Sequence, residues 1–222
     1  MSLPPAPWIV LVTDRGRLSP DARTTGEEIV ALEGLIDTAI DSCIDVIQVR
    51  ERDLEAGVLT ALVARVVERS RRTATRVMVN DRADVAAMSG ADGVHLPSFG
   101  LPAERVRSLS PAWIVGRSWH AGEELSEARA ADYAMVGTVF ETESKPGRSG
   151  LGVEGLRRAI QALGQPVLAI GGMTPVRAQE VVRAGAAGVA AIGLFLDEGR
   201  APGALGVKRA VDELRQQMVL VQ

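Results

Sequence analysis

Cysteine, histidine and aromatic side chains are scarce in this chain of 222 residues. Its one cysteine, Cys43, excludes an internal disulfide and fits a reducing compartment. Aromatics make up only 3%, so the core must be packed by Ala, Val, Leu and Gly, which suits parallel strands covered on both faces. A formal net charge of -3 excludes a broad basic surface for nucleic acid or an acidic membrane. The Arg-rich "RVVERSRRTATR" reads as a solvated helix end, favoured by the helix dipole. No apolar run reaches the roughly 20 residues of a membrane helix, and "MSLPPAP" lacks a signal-peptide pattern. The expectation is a soluble, cytoplasmic protein whose residues 1–7 are disordered or tag-derived.

What is present is alternation. Short runs rich in Val and Ile recur as "WIVLVTD", "DVIQVR", "RVMVN", "DGVHL", "WIVGRS", "DYAMVG", "PVLAI" and "AGVAAIG". Each has the length and near-continuous apolarity of a buried parallel strand. Between them, "GEEIVALEGLIDTAIDS", "LEAGVLTALVARVVERSRR", "AGEELSEARAAD", "GVEGLRRAIQALG" and "TPVRAQEVVRAGA" space their apolar residues by three and four, as amphipathic helices do. Thr174 and Pro175 supply a capping side chain and a proline suited to a first turn. Eight such alternations without a composition break predict one (β/α)8 barrel over 1–222, with an open doubly wound sheet as the alternative.

In a barrel, the residues just past each strand meet at one mouth, where the chemistry of this architecture sits. Those residues include Arg50, Arg52, Asn80, Asp81, His95, Ser118, His120, Thr142, Ser144 and Lys145. The "AIGGMTP" and "AAIGLF" turns place Gly171, Gly172, Ile192 and Gly193 where barrels often bind phosphate. Side-chain-free backbone can approach an anion there, beside a helix N-terminus. The bland alternative is that these glycines only make tight turns. "FETESKPGRSG" (140–150) is the longest polar loop and a candidate lid, or simply a solvated surface loop. Arg50 and Arg52 suit phosphate or carboxylate recognition, or structural pairing with Glu51 or Asp81. His120 has the chemistry of a proton shuttle, against a structural role near a helix start. His95 reads as a strand-end residue satisfied by its neighbours, and Arg82 with Asp84 as a rim pair.

Taken in order, "LVTD", "QVRER", "VNDRADVA", "ADGVHLP", "GRSWH", "ADYAMVGTVFET", "SKPG" and "AIGGMTP" resemble the thiamine phosphate synthase / TenI superfamily over nearly the whole chain. That resemblance implies a barrel acting in thiamine biosynthesis. Synthases of this kind join hydroxymethylpyrimidine diphosphate to a thiazole phosphate, with Mg2+ stabilising the departing pyrophosphate. Their motifs resemble "QLREK", "NDR", "HLGQxD" and "TxTK". Here Asp81 keeps the "NDR" place, Arg52 replaces the lysine, and "HLPSFG" stands where a second metal-binding aspartate belongs. "HLPS", "GRSxH" and "FET" instead resemble TenI.

The resemblance therefore leads to a specific expectation. The chain would be a TenI-type thiazole tautomerase working without a metal, with His120 moving the proton. Arg50, Arg52, Asn80, Asp81, Ser118, Thr142, Ser144 and Lys145 would hold the substrate, and Gly171, Gly172, Ile192 and Gly193 its phosphate. A Mg2+-dependent synthase is the alternative, and a non-catalytic ligand-binding protein the third reading. The expected partner is a small phosphorylated thiazole, with no nucleic acid or membrane. A homodimer through apolar outer helices is open.

Overall fold

The computed structural model of the chain describes residues 3–142, 150–196 and 204–219. Eight parallel strands follow in order: β1 (Trp8–Val12), β2 (Val46–Val49), β3 (Arg76–Asn80), β4 (Gly93–Leu96), β5 (Ile114–Trp119), β6 (Tyr133–Gly137), β7 (Val167–Ile170) and β8 (Gly188–Ala191). They close into a barrel, because Leu11 of β1 pairs with Ile47 of β2 on one side and Ala191 of β8 on the other. The open-sheet alternative is thereby excluded. The fold is a single (β/α)8 domain.

Helices α1 (Arg15–Leu18), α2 (Thr25–Asp41), α3 (Ala56–Ser70), α4 (Ala83–Ser89), α5 (Ala103–Leu109), α6 (Leu125–Arg129), α7 (Gly152–Leu163), α8 (Pro175–Arg183) and α9 (Ala204–Val219) surround the sheet. Strand alternation splits the apolar residues into two cores. Outward side chains such as Ile9, Leu11, Ile47, Val79 and Val115 pack against Leu32, Ile36, Leu62 and Val66 of the helices. Inward ones, including Trp8, Val10, Val46, Met78, Ile114, Tyr133 and Leu168, fill the barrel. Leu3 packs against this inner cluster, and Trp8 donates its indole N–H to the carbonyl of Pro4 at 2.6 Å.

The bottom of the barrel is stitched by a recurring device. Asp45, Asp92 and Asp132 each stand just before an even-numbered strand. Each carboxylate accepts from a backbone N–H of the preceding odd strand, at Ile9, Val77 and Val115, all at 2.7 Å. These charge-assisted bonds satisfy strand amides at the rim and hold neighbouring strands in register. Arg215 of α9 and Arg107 of α5 pair with Asp45 and Asp132 in turn.

One helix reading changes, and other helices appear that local periodicity did not mark. The segment "AGEELSEARAAD" yields only the five residues of α6. Glu123 is drawn into a turn with His120 before the helix, and Asp132 N–H is taken by Val115 O after it. Helices α4 and α5 have seven residues each, too short for a periodicity to register. "QQMV" closes α9, with Met218 fully buried in the outer core, a contact that exists only once the helix lies on the barrel. Among the described residues, no helix is long and apolar enough to cross a membrane.

Glycines separate two kinds of position, which unfolding in urea would distinguish. Gly34 is exposed inside α2 with open space around it, so Gly34→Ala should raise stability by about 0.5–1 kcal/mol. At Gly93 a β-carbon would strike the backbone of Ile114 on the neighbouring strand, so Gly93→Ala should cost about 1–3 kcal/mol or more.

Candidate active site

The mouth begins with a charged network that ties the loops after β1 and β2. Thr13 is buried; its hydroxyl donates to Glu51 Oε1 at 2.6 Å and accepts from the Arg50 backbone N–H at 2.9 Å. Arg15, at the start of α1, donates to Glu28 at 2.8 Å, to Glu51 at 3.0 Å and to Asp53 at 2.7 and 2.6 Å. Its bidentate grip on Asp53 raises its own pKa and holds the Asp53 carboxyl down at about 2. Burial pushes the Glu51 carboxyl up, while its bonds to Thr13 and Arg15 pull the other way.

This arrangement gives the Glu51 carboxylate to Arg15 rather than to Arg50 or Arg52. Among the described residues, the Arg50 guanidinium makes no hydrogen bond, although it is half-buried. Burial and the neighbouring charge of Arg52 push its pKa down, so the cation is held at a cost that an incoming anion would relieve. Both arginines line a cleft of about 470 Å³ with Asp14, Arg15, Glu51 and Asp53.

Around the ring, Asn80 ends β3 and accepts from the Gln48 amide at 3.1 Å. Asp81 follows with φ +65°, a left-handed conformation uncommon outside glycine, and turns an exposed carboxylate to solvent. Arg82 and Asp84 form the expected rim pair, at 2.8 Å between Nε and Oδ1. His95 lies inside the barrel, bonded to Tyr133 and Ser118. Arg117 of "GRSWH" faces outward and anchors the loop after β4 through the carbonyls of Ser98 and Leu101.

Gly171 and Gly172 take φ of +105° and +62°, and a β-carbon would meet Thr138 at the first and Glu141 O at the second. Arg177 of α8 donates to Gly172 O at 2.7 Å and lies 4.7 Å over the Phe140 ring, joining the loops after β6 and β7. Thr174 caps α8 by accepting from Arg177 N–H. Ile192 and Gly193 follow β8, and Gly193 opens a short 3-10 turn. Thr142 is described; Ser144 and Lys145, with the rest of 143–149, lie outside the described residues.

His120 stands apart from these groups. It is exposed at the end of β5, with Nδ1 3.3 Å from Glu123 Oε1 and its backbone N–H bonded to the same carboxylate at 2.8 Å. Its contacts are those of a turn-closing residue.

Two residues escaped the sequence reading. Arg17 of α1 reaches the loop after β8: a β-carbon at Gly193 would lie 3.2 Å from its Nη2. Gln48 is 2% exposed at an inward position of β2, and its Oε1 has no hydrogen-bond partner among the described residues. A polar residue at an inward step of the apolar "VIQV" was a signal for Gln48. Nothing local marked Arg17.

Fold and mouth define the class, a closed (β/α)8 barrel with polar groups gathered at the C-terminal ends of its strands. The family profile described as thiamine monophosphate synthase matches residues 18–195. A thiamine-phosphate synthase of Thermus thermophilus is 39% identical over 173 residues, covering 75% of this chain and 84% of the relative. One from Pyrococcus furiosus is 34% identical over 210 residues, covering 94% and 93%. The solved thiamine phosphate pyrophosphorylase of Pyrococcus furiosus superposes with a TM-score of 0.77 at 30% identity, covering 96% of each chain. The chain belongs to the thiamine monophosphate synthase family, and it is an enzyme. The expectation of a thiazole tautomerase is corrected by these relatives, which carry synthase names across most of the chain. The motif differences that suggested TenI do not outweigh that likeness.

The Arg15 network has a measurable consequence. Arg15→Met would leave Glu51, whose side chain is 3% exposed, without its cation. We expect a loss of about 3–5 kcal/mol at neutral pH. Glu51 already binds its proton more tightly when folded than when unfolded, and losing Arg15 strengthens that tendency. Protonation then relieves the buried charge, so the deficit should shrink as pH falls toward the carboxylate range. Urea unfolding at several pH values measures this, and a pH-independent deficit would contradict it.

Proposed function

We propose that this enzyme is a thiamine phosphate synthase, coupling hydroxymethylpyrimidine diphosphate to thiazole phosphate with release of pyrophosphate. The observation that carries the reading beyond family membership is the half-buried Arg50 guanidinium, which is bonded to no carboxylate among the described residues. A synthase has two anionic substrates, and the mouth offers two distinct places for them.

On one arc, Arg50 and Arg52 face the diphosphate. Next to them, Gln48 Oε1 is a buried acceptor lacking a donor, which the exocyclic amino group of the pyrimidine would supply. On the other arc, Gly171, Gly172, Ile192 and Gly193 form the phosphate cradle for the thiazole, and Arg17 adds a cation at its edge. Asn80, Ser118 and Thr142 complete the polar wall, with Ser144 and Lys145 as further candidates on the loop after β6. In the reaction, the bond between the pyrimidine methylene carbon and the diphosphate oxygen breaks. The ring nitrogen of the thiazole donates its electron pair to that carbon. The arginines lower the energy of the transition state by compensating charge as it gathers on the departing pyrophosphate.

The family implies Mg2+, which would supply further charge compensation for that leaving group. Among the described residues, no three His, Cys, Asp or Glu side chains gather where they could hold a metal. Magnesium at phosphates commonly uses one or two carboxylates, with phosphate oxygens and water completing the shell. Asp81, exposed at the end of β3, suits such a site as its carboxylate. The replacement of the second aspartate by "HLPSFG" is then compatible with an ion that arrives with the diphosphate.

Purified protein with both substrates and Mg2+ should form thiamine phosphate and pyrophosphate in equal amounts; absence of turnover sinks the proposal. Arg17→Ala should raise KM for thiazole phosphate by about tenfold or more, as expected for a lost charge-assisted contact, while KM for the diphosphate holds. Equal rises in both would place Arg17 outside the phosphate cradle.

A further inference from the structure

Inside the barrel, a polar chain runs from the core to the mouth. Tyr133, the one tyrosine of the chain, is 1% exposed, and its hydroxyl lies 3.1 Å from Nδ1 of His95. Nε2 of His95, itself 1% exposed, lies 2.9 Å from Oγ of Ser118. The glycine at 116 makes this possible, because a β-carbon there would fall inside the tyrosine ring. The His95 and Tyr133 rings are tilted by 30° with centroids 5.7 Å apart.

Hydrogen-bond accounting then fixes where each proton sits. Burial raises the Tyr133 phenol, so it keeps its hydrogen, and among the described residues Nδ1 of His95 is the one acceptor bonded to it. An imidazole that accepts at Nδ1 and is neutral carries its hydrogen on Nε2. Nε2 therefore donates to Ser118 Oγ. The opposite arrangement would leave a buried phenol hydrogen without an acceptor, at the cost of its desolvation.

We propose that Tyr133 and His95 are a positioning pair that holds Ser118 as a fixed hydrogen-bond donor to the diphosphate of the bound substrate. With its oxygen occupied by the His95 N–H, the Ser118 hydroxyl hydrogen is left for the mouth. It reaches the same anion as Arg50, and the chain of donors behind it strengthens that bond. The identity of the anion rests on the synthase reading above. The direction of the donors does not.

The experiment therefore has two independent parts. Ring-nitrogen NMR of histidine-labelled protein should show His95 as the Nε2–H tautomer at neutral pH. The chain has two histidines, so a His120→Asn variant assigns the signals. An Nδ1–H tautomer overturns the lock whatever the protein catalyses.

The second part is kinetic. Tyr133→Phe should mix the tautomers and lower kcat for coupling by about tenfold, leaving KM for thiazole phosphate unchanged. In a Ser118→Ala background it should add nothing further. Additive losses would mean that Tyr133 acts through packing alone and would overturn the proposal. Absence of any coupling in the wild type would count against the synthase reading, with the tautomer still deciding the lock.

Discussion

Closure of the sheet is the constraint on which the rest of the structure depends. β1 must pair with β2 and β8 at once, and Gly188 permits the second pairing because a β-carbon there would strike the backbone of Trp8. Once the ring is closed, strand alternation allows only two environments. One is a thin interior of Trp8, Val10, Met78 and Tyr133, and the other is a wide outer shell against the helices. The interior is shallow enough that its last layer is already polar: Gln48, Asn80, His95 and Ser118. The barrel passes from apolar core to polar mouth within one strand step.

Charge at the mouth is partitioned by geometry rather than by number. Acidic and basic residues alternate through "QVRERD", and a count would predict mutual neutralisation. Arg15 instead gathers Glu28, Glu51 and Asp53, and Thr13 fixes Glu51 from the other side. Among the described residues, Arg50 is thereby left half-buried without a side-chain hydrogen bond. Ion pairs of this kind contribute little net stability when solvated and constrain strongly when buried. Here the buried pair keeps Glu51 bonded to Arg15 rather than to its neighbour Arg50.

The two histidines show what local reading supplies and what it leaves open. Both sit at strand ends, and the more reactive-looking one, His120, faces Glu123 at the surface. His95 was expected to be satisfied by neighbours, and it is; yet those neighbours, Tyr133 and Ser118, lie 38 and 23 residues away. Sequence spacing gave His120 its motif but could not say which way the ring turns. That direction depends on how the chain leaves β5, and the turn bonded through Glu123 decides it.

The linear order of residues determined the eight strands, their parallel alternation with helices, the cap at Thr174 and the family, because each is written in local periodicity or contiguous motifs. It also marked the end of each strand as the place for polar residues. Tertiary structure alone decided which charges pair, where Arg17 reaches, and which groups face the two ring nitrogens of His95. Those depend on contacts between segments far apart in the chain, which exist only after the first strand has met the last.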